Sequence, residues 1–350
     1  MRVVAFVLAL AASGAATAGN PVAVGKLEEG RRHFRAGDKA AALKAFDEAA
    51  RLAPDDAQVH YFRGVALEGQ GQPAEAILAY RKAVALDPKF PEAQNNLGGL
   101  FLQAGQLETA RAAFQAALAA RPAYPQAAFN LGVALERQGQ NGEALGAFAK
   151  AARLDPKDGQ AWLNLGVVAK RQGDAKTARA AFEKATALLP REPQAFTNLG
   201  LLVAEAGQLD EAARLLARAT EMGPDAVHAW HAAGRVALKR KRAGEAVEAL
   251  GRAARLDPKS AAVAADLCQA RAAKAPDPSA LKACDRARQL DPQAALPVYV
   301  ALKLRAAQGD CATAKKTLAA FLALAAPSDR ARQGAKDLVA ACRPVAARKP

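Results

Sequence analysis

The sequence predicts an all-α solenoid, a row of helical hairpins stacked along the chain, and three regularities predict it. Prolines recur every 34 residues, at Pro54, Pro88, Pro122, Pro156, Pro190, Pro224, Pro258 and Pro292. A small residue returns with the same period at Gly30, Gly64, Gly98, Gly132, Gly166, Gly200, Gly234 and Cys268. Twelve residues after each comes an alanine (Ala42, Ala76, Ala110, Ala144, Ala178, Ala212, Ala246, Ala280), then a large residue at Phe46, Tyr80, Phe114, Phe148, Phe182, Leu216 and Leu250. Fixed periods of this length mark repeat architectures. The chain of 350 residues is 51% hydrophobic and 5% aromatic, so it has material for a core, and that core is built from small residues and closely packed helices.

The first eighteen residues stand apart from the repeats. Met1 and Arg2 give a short positive start, Val3 to Ala12 an apolar run, and Ala16, Thr17 and Ala18 a small-x-small site. This is the pattern of a secretory signal peptide cleaved after Ala18. The run is shorter than the roughly 20 apolar residues a transmembrane helix needs, and no cysteine follows to take a lipid. The expectation is an exported protein, periplasmic or secreted, with no transmembrane span.

From residue 19 to 328 the period defines about nine repeats, in windows that start at 23, 57, 91, 125, 159, 193, 227, 261 and 295. Glycine and alanine let two antiparallel helices approach, the large residue fills the gap beside them, and proline ends the second helix. A second glycine, at Gly37, Gly71, Gly105, Gly139, Gly173, Gly207 and Gly309, reverses the chain between the two helices. One hairpin leaves an apolar face bare, and its neighbours cover it. The runs Trp162, Leu163, Asn164, Leu165, Gly166 and Phe196, Thr197, Asn198, Leu199, Gly200 resemble the tetratricopeptide repeat consensus, and the resemblance extends from residue 23 to about 328. It implies a right-handed superhelix whose first helices line a concave groove and whose second helices form the back. The ninth repeat departs, with Leu302 in the glycine position. Residues 329–343 read as a capping helix and 344–350 as a tail.

Four cysteines, Cys268, Cys284, Cys311 and Cys342, sit only at this departing end. In an exported chain an even number favours disulfides. Cys268 takes the close-contact position of a first helix and Cys284 the large position of the second helix of the same hairpin. Cys311 starts the next second helix and Cys342 ends the cap. Antiparallel packing therefore predicts bonds Cys268 to Cys284 and Cys311 to Cys342, against the alternative of four buried thiols.

Two residues before the small glycine the sequence gives Asn96, Asn130, Asn164 and Asn198. Asparagine is a poor helix-interior residue, so four in register suggest a use. On the concave face implied by the resemblance, an amide could donate to and accept from a peptide backbone, and the spacing of roughly 10 Å between packed repeats is about three residues of extended chain. The competing reading is that these amides only bond neighbouring helices. Tyr61, Phe129, Arg137 and Arg171 are expected on the same peptide-binding face. The lysine and asparagine pattern of the relatives that clamp a chaperone's acidic terminus is missing from Leu27–Arg31, Tyr61–Val65 and Asn95–Gly99. His228 and His231 have i, i+3 spacing without a third ligand, so no metal site, catalytic residue or cofactor is expected.

Charge is uneven: residues 227–350 carry 23 Lys and Arg against 10 Asp and Glu, and the densest cluster is Lys239, Arg240, Lys241, Arg242, where Lys241 replaces the turn glycine. With Arg235 these form a candidate site for an anionic partner, and export makes an envelope surface, polymer or lipid the candidate rather than nucleic acid. The sequence thus predicts a noncatalytic adaptor or scaffold of the bacterial cell envelope that binds an extended peptide or protein segment. The alternatives are an anionic envelope polymer or lipid as ligand, and a regulatory subunit of an envelope glycosyltransferase or secretion machine.

Overall fold

A computed structural model describes residues 20–275, 277–324 and 328–343. The leader over residues 1–18 and the tail 344–350 lie outside the described residues. The described chain forms nineteen α-helices and, among these residues, no strand.

It divides into two compact units, with the boundary between Pro156 and Lys157. The first unit holds α1 (Pro21–Arg35), α2 (Lys39–Leu52), α3 (Ala57–Gly69), α4 (Pro73–Leu86), α5 (Pro91–Gln103), α6 (Leu107–Ala120), α7 (Pro125–Arg137) and α8 (Asn141–Leu154). In the second are α9 (Gly159–Arg171), α10 (Ala175–Leu188), α11 (Pro193–Glu205), α12 (Leu209–Met222), α13 (Val227–Lys239), α14 (Ala243–Leu256), α15 (Ala261–Lys274), α16 (Pro278–Leu290), α17 (Ala295–Ala307), α18 (Cys311–Leu322) and α19 (Asp329–Ala340).

Local chemistry sets these boundaries. Proline opens α5, α7 and α11, where its missing N–H costs nothing. Asp38, Asp56, Asp158, Asp174, Asp277 and Asp310 accept backbone N–H bonds at the starts of α2, α3, α9, α10, α16 and α18. Each second helix of the period ends one or two residues before its proline, as α4 does at Leu86 before Pro88. In the turn between α5 and α6, Gly105 takes φ 74°, a conformation that L side chains disfavour.

The packing inside each hairpin explains the small-and-large pairing. A methyl group built on Gly132 would lie 2.8 Å from ring carbons of Phe148, and one on Gly30 would lie 2.4 Å from Phe46. The missing Cβ is the socket for the ring. Phe46, Tyr80, Phe114, Phe148 and Phe182 are accordingly buried with at most 1% exposed. Leu216 and Leu250 fill the same socket opposite Gly200 and Gly234. In the eighth hairpin the contact is covalent: Cys268 and Cys284, at the small and large positions, are bonded with an S–S distance of 2.12 Å. The second disulfide joins Cys311, the first residue of α18, to Cys342, just past α19, at 2.07 Å. Leu302 is fully buried in the ninth hairpin, where it shares a cluster with Phe321, Leu324 and Ala335 of α19.

Within each unit, first helices also touch one another: α1 meets α3 and α5 meets α7 in the first unit, and α9, α11, α13, α15 and α17 meet in succession in the second. The odd-numbered helices are thus the more closely gathered side of each stack. No helix among the described residues is long and apolar enough to cross a membrane.

Candidate functional site

On the odd-numbered helices of the first unit the structure brings together polar groups that lie far apart in sequence. Asn96, two residues before the socket glycine of α5, donates its Nδ2 to the Tyr80 hydroxyl at 3.2 Å, and that hydroxyl donates to Glu68 Oε2 at 2.9 Å. Asn95 Nδ2 donates to Asn96 Oδ1 at 3.4 Å, Asn130 Nδ2 to Asn95 Oδ1 at 3.0 Å, and Gln126 Nε2 to Asn130 Oδ1 at 3.2 Å. Every donor in this chain points towards Glu68, across α7, α5, α4 and α3. Burial pushes the Glu68 carboxyl up to about 7, with the Tyr80 hydrogen bond pulling the other way. Burial likewise raises the phenols of Tyr61 and Tyr80.

Beside this chain, Tyr61 packs on Phe90 with ring centroids 4.9 Å apart and on Phe62 at 5.1 Å. Arg121 Nη2 pairs with Glu92 Oε1 at 2.6 Å and sits over the Tyr124 ring. Burial and the nearby Glu92 push the Tyr124 phenol up to about 12. Phe129 meets Phe148 edge-on, and Arg137 Nη1 donates to the Leu102 carbonyl at 3.2 Å. Tyr61, Asn95 and Phe129 occupy the same register on α3, α5 and α7, with Tyr61 and Phe129 half-buried.

In the second unit the corresponding register holds Leu163, Thr197 and His231. Asn164 Nδ2 turns back to the Gln160 carbonyl of its own helix at 3.0 Å, while Asn198 Nδ2 is buried without a protein acceptor. Lys170 pairs with Glu205 at 2.8 Å. His231 Nε2 lies 2.7 Å from Asp266 Oδ2, and Arg235 Nε lies 3.8 Å from the same oxygen. His231 thus faces α15. Among the described residues no group of three His, Cys, Asp or Glu could hold a metal ion.

The basic turn between α13 and α14 divides into two kinds of residue. Arg240 is held between Asp210 Oδ1, 3.0 Å away, and Glu245 Oε2, 3.3 Å away. Lys239, Lys241 and Arg242 are exposed. Lys241 has φ 59° and is the one non-glycine among the described residues with positive φ.

Sequence reasoning singled out Asn96 and Asn130, took Tyr80 only as the large residue of its hairpin and not as a hydrogen-bond partner, and missed Glu68. The signal was a hydroxyl in a socket that Phe or Leu otherwise fills, twelve residues after an acid. Asp266 was missed because it stands at the asparagine register of a repeat that has no asparagine there.

A family model described as the cilia and flagella-associated protein 70 C-terminal domain matches residues 5–227, well over half of the chain, and a tetratricopeptide repeat model matches residues 197–261. The chain belongs to the tetratricopeptide repeat family. No curated protein matches it significantly in sequence. Among solved structures, it is similar to pilF of Pseudomonas aeruginosa (21% identity, TM-score 0.52, covering 59% of this chain and 94% of that one). It is also similar to the Cut9-Hcn1 hetero-tetramer of APC/C (17%, TM-score 0.51, 80% and 55%). YrrB, described as a TPR protein with an unusual peptide-binding site, aligns at 25% identity with a TM-score of 0.48, covering 53% of this chain and 95% of that one.

Proposed function

We propose that the protein is a noncatalytic adaptor of the bacterial cell envelope that binds an extended peptide or protein segment along its first helices. The observation that carries this reading is the register of the odd-numbered helices. They gather on one side of each unit, and along one register 34 residues apart they leave Tyr61 and Phe129 half-buried in one unit and His231 in the other, while Asn95, Leu163 and Thr197 of that register are buried. Half-buried rings spaced in this way suit a segment with occasional apolar side chains. Asn96 and Asn130 already have protein partners, so in this reading they fix the shape of the face. Contacts to the ligand fall to Tyr61, Phe129 and Arg137 in the first unit and to Arg171 and Asn198 in the second, while Asn164, bonded to the Gln160 carbonyl, joins Asn96 and Asn130 in fixing the face. The leader pattern and the two disulfides support the envelope placement.

A photo-crosslinking side chain at Phe129 or His231, read out in native envelopes, tests the proposal. Partner adducts are expected from these positions and not from Leu78, which is 64% exposed on a second helix. Equal capture from Leu78, or none from the first-helix positions, would overturn it. A second reading, that the protein also meets an anionic envelope surface, is favoured by the three exposed cations of the α13–α14 turn.

A further inference from the structure

We infer that the α13–α14 turn is a contact tip for an anionic lipid bilayer, with Lys239, Lys241 and Arg242 as the contacting residues. This rests on the second reading above and narrows it to one partner and three side chains. The structure first sorts the basic cluster. The Arg240 guanidinium is held between Asp210 and Glu245, and Arg235 leans towards Asp266, so these two serve the protein's own helices. Lys239, Lys241 and Arg242 are exposed and make no ion pair among the described residues. The two acids beside it, Asp210 of α12 and Glu245 of α14, are thus tied to Arg240, and Asp277 of the next hairpin caps α16.

The backbone gives an independent reason to attend to Lys241. Seven other hairpin turns, at Gly37, Gly71, Gly105, Gly139, Gly173, Gly207 and Gly309, place glycine where φ is positive. At φ 59° a side chain is disfavoured, and glycine would serve the turn better. What lysine adds there is its charge, and strain held in this way points to use of the side chain.

Exposure and charge favour a bilayer over a peptide. The three cations are all exposed at one tight turn between two helices, and a flat anionic surface can meet such a turn. Lys274, exposed at the end of α15, lies at the same end of the next hairpin, and the region from residue 227 onward carries 23 bases against 10 acids. The turn has no apolar side chain to insert, so the contact is peripheral, electrostatic and reversed by salt.

The test is cosedimentation of the full-length protein with vesicles of phosphatidylglycerol and phosphatidylcholine, against phosphatidylcholine alone. Binding to the anionic vesicles alone is expected, lost in high salt. Each of Lys239→Gln, Lys241→Gly and Arg242→Gln should weaken it about fivefold, and the three together about a hundredfold. Lys241→Gly should at the same time raise the melting temperature, which separates lost affinity from lost fold. Wild-type protein that ignores the anionic vesicles, or a triple variant that binds like wild type, overturns the proposal. If wild type passes the vesicles by but binds soluble polyglutamate through these three residues, the bilayer proposal falls and the broader anionic reading stands. If it binds neither, both fall.

Discussion

Tyr80→Phe tests the amide chain of the first unit with the loss of a single oxygen. The ring itself will fit, because Phe46, Phe114, Phe148 and Phe182 fill the same socket in other hairpins. What goes is a hydroxyl that donates to Glu68 at 2.9 Å and accepts from Asn96 at 3.2 Å. The Asn96 amide, 6% exposed, is then left short of an acceptor, whereas water can replace the bond at half-buried Glu68. Losing a bond to a buried group costs about 1–3 kcal/mol, and the solvated half of the pair keeps the expected loss at about 1–2 kcal/mol. The loss should depend on pH. The folded Glu68 carboxyl sits at about 7, above its ordinary 4.5, so its protonated form favours folding. That contribution is fully present below 4.5 and is lost as pH rises through about 7. Removing the hydroxyl takes away the one interaction that stabilises the carboxylate, so the variant should suffer more at pH 8 than at pH 5. Trp162 and Trp230 both lie in the second unit, so fluorescence would not report on this one. Hydrogen exchange of the α3–α6 amides, corrected for intrinsic rates, is the assay. Exchange as slow as in wild type at both pH values would refute the argument that this network supports the unit.

Other perturbations probe the remaining parts. Glu68→Gln should flatten the pH dependence of first-unit stability between about pH 4.5 and 7, measured by hydrogen exchange of the α3–α6 amides across that range. Gly132→Ala, which by helix propensity alone would stabilise by about 1 kcal/mol, should instead destabilise by about 1–3 kcal/mol because its methyl meets the Phe148 ring; a higher melting temperature would count against the socket. Cys311→Ser with Cys342→Ser should cost about 3–4 kcal/mol from the released 31-residue loop and expose α19 to early proteolysis, checked by limited digestion and mass spectrometry. Unchanged digestion of residues 329–340 would show that apolar packing alone holds the cap.

The hairpin architecture was legible in the sequence because it is local and repeated. The 34-residue proline period, the socket glycines and the residues that fill them all act between neighbours, and each is written many times. The first disulfide pair was legible for the same reason: Cys268 and Cys284 stand where a glycine and a large side chain stand in the first seven hairpins, and those two positions touch in each of them. The side-chain network was not, because it depends on which rotamer each amide takes. Asn96 and Asn164 share a register, yet one reaches the Tyr80 hydroxyl and the other folds back on Gln160. The difference lies in the partner, since the socket beside Asn164 holds Phe182, which has no oxygen to offer. Nor could charge counting separate Arg240 from Lys239 and Lys241; that required Asp210, thirty residues upstream, to arrive beside it.

The placement of both disulfides in the last hairpins has a mechanical consequence. A stack of hairpins joined only by packing yields to a pull one helix at a time, releasing its full extended length. The bond between Cys268 and Cys284 spans 16 residues and that between Cys311 and Cys342 spans 31. At about 3.5 Å per extended residue, these remove roughly 55 Å and 110 Å from the length that traction can draw out. A machine threading the oxidised chain in from the α19 side would meet doubled strands at Cys342 and stall there, whereas one working in from α1 could unravel everything up to α14 in single file before meeting a crosslink. Direction of pull, and not the height of a melting transition, is where these two bonds distinguish the ends of the molecule.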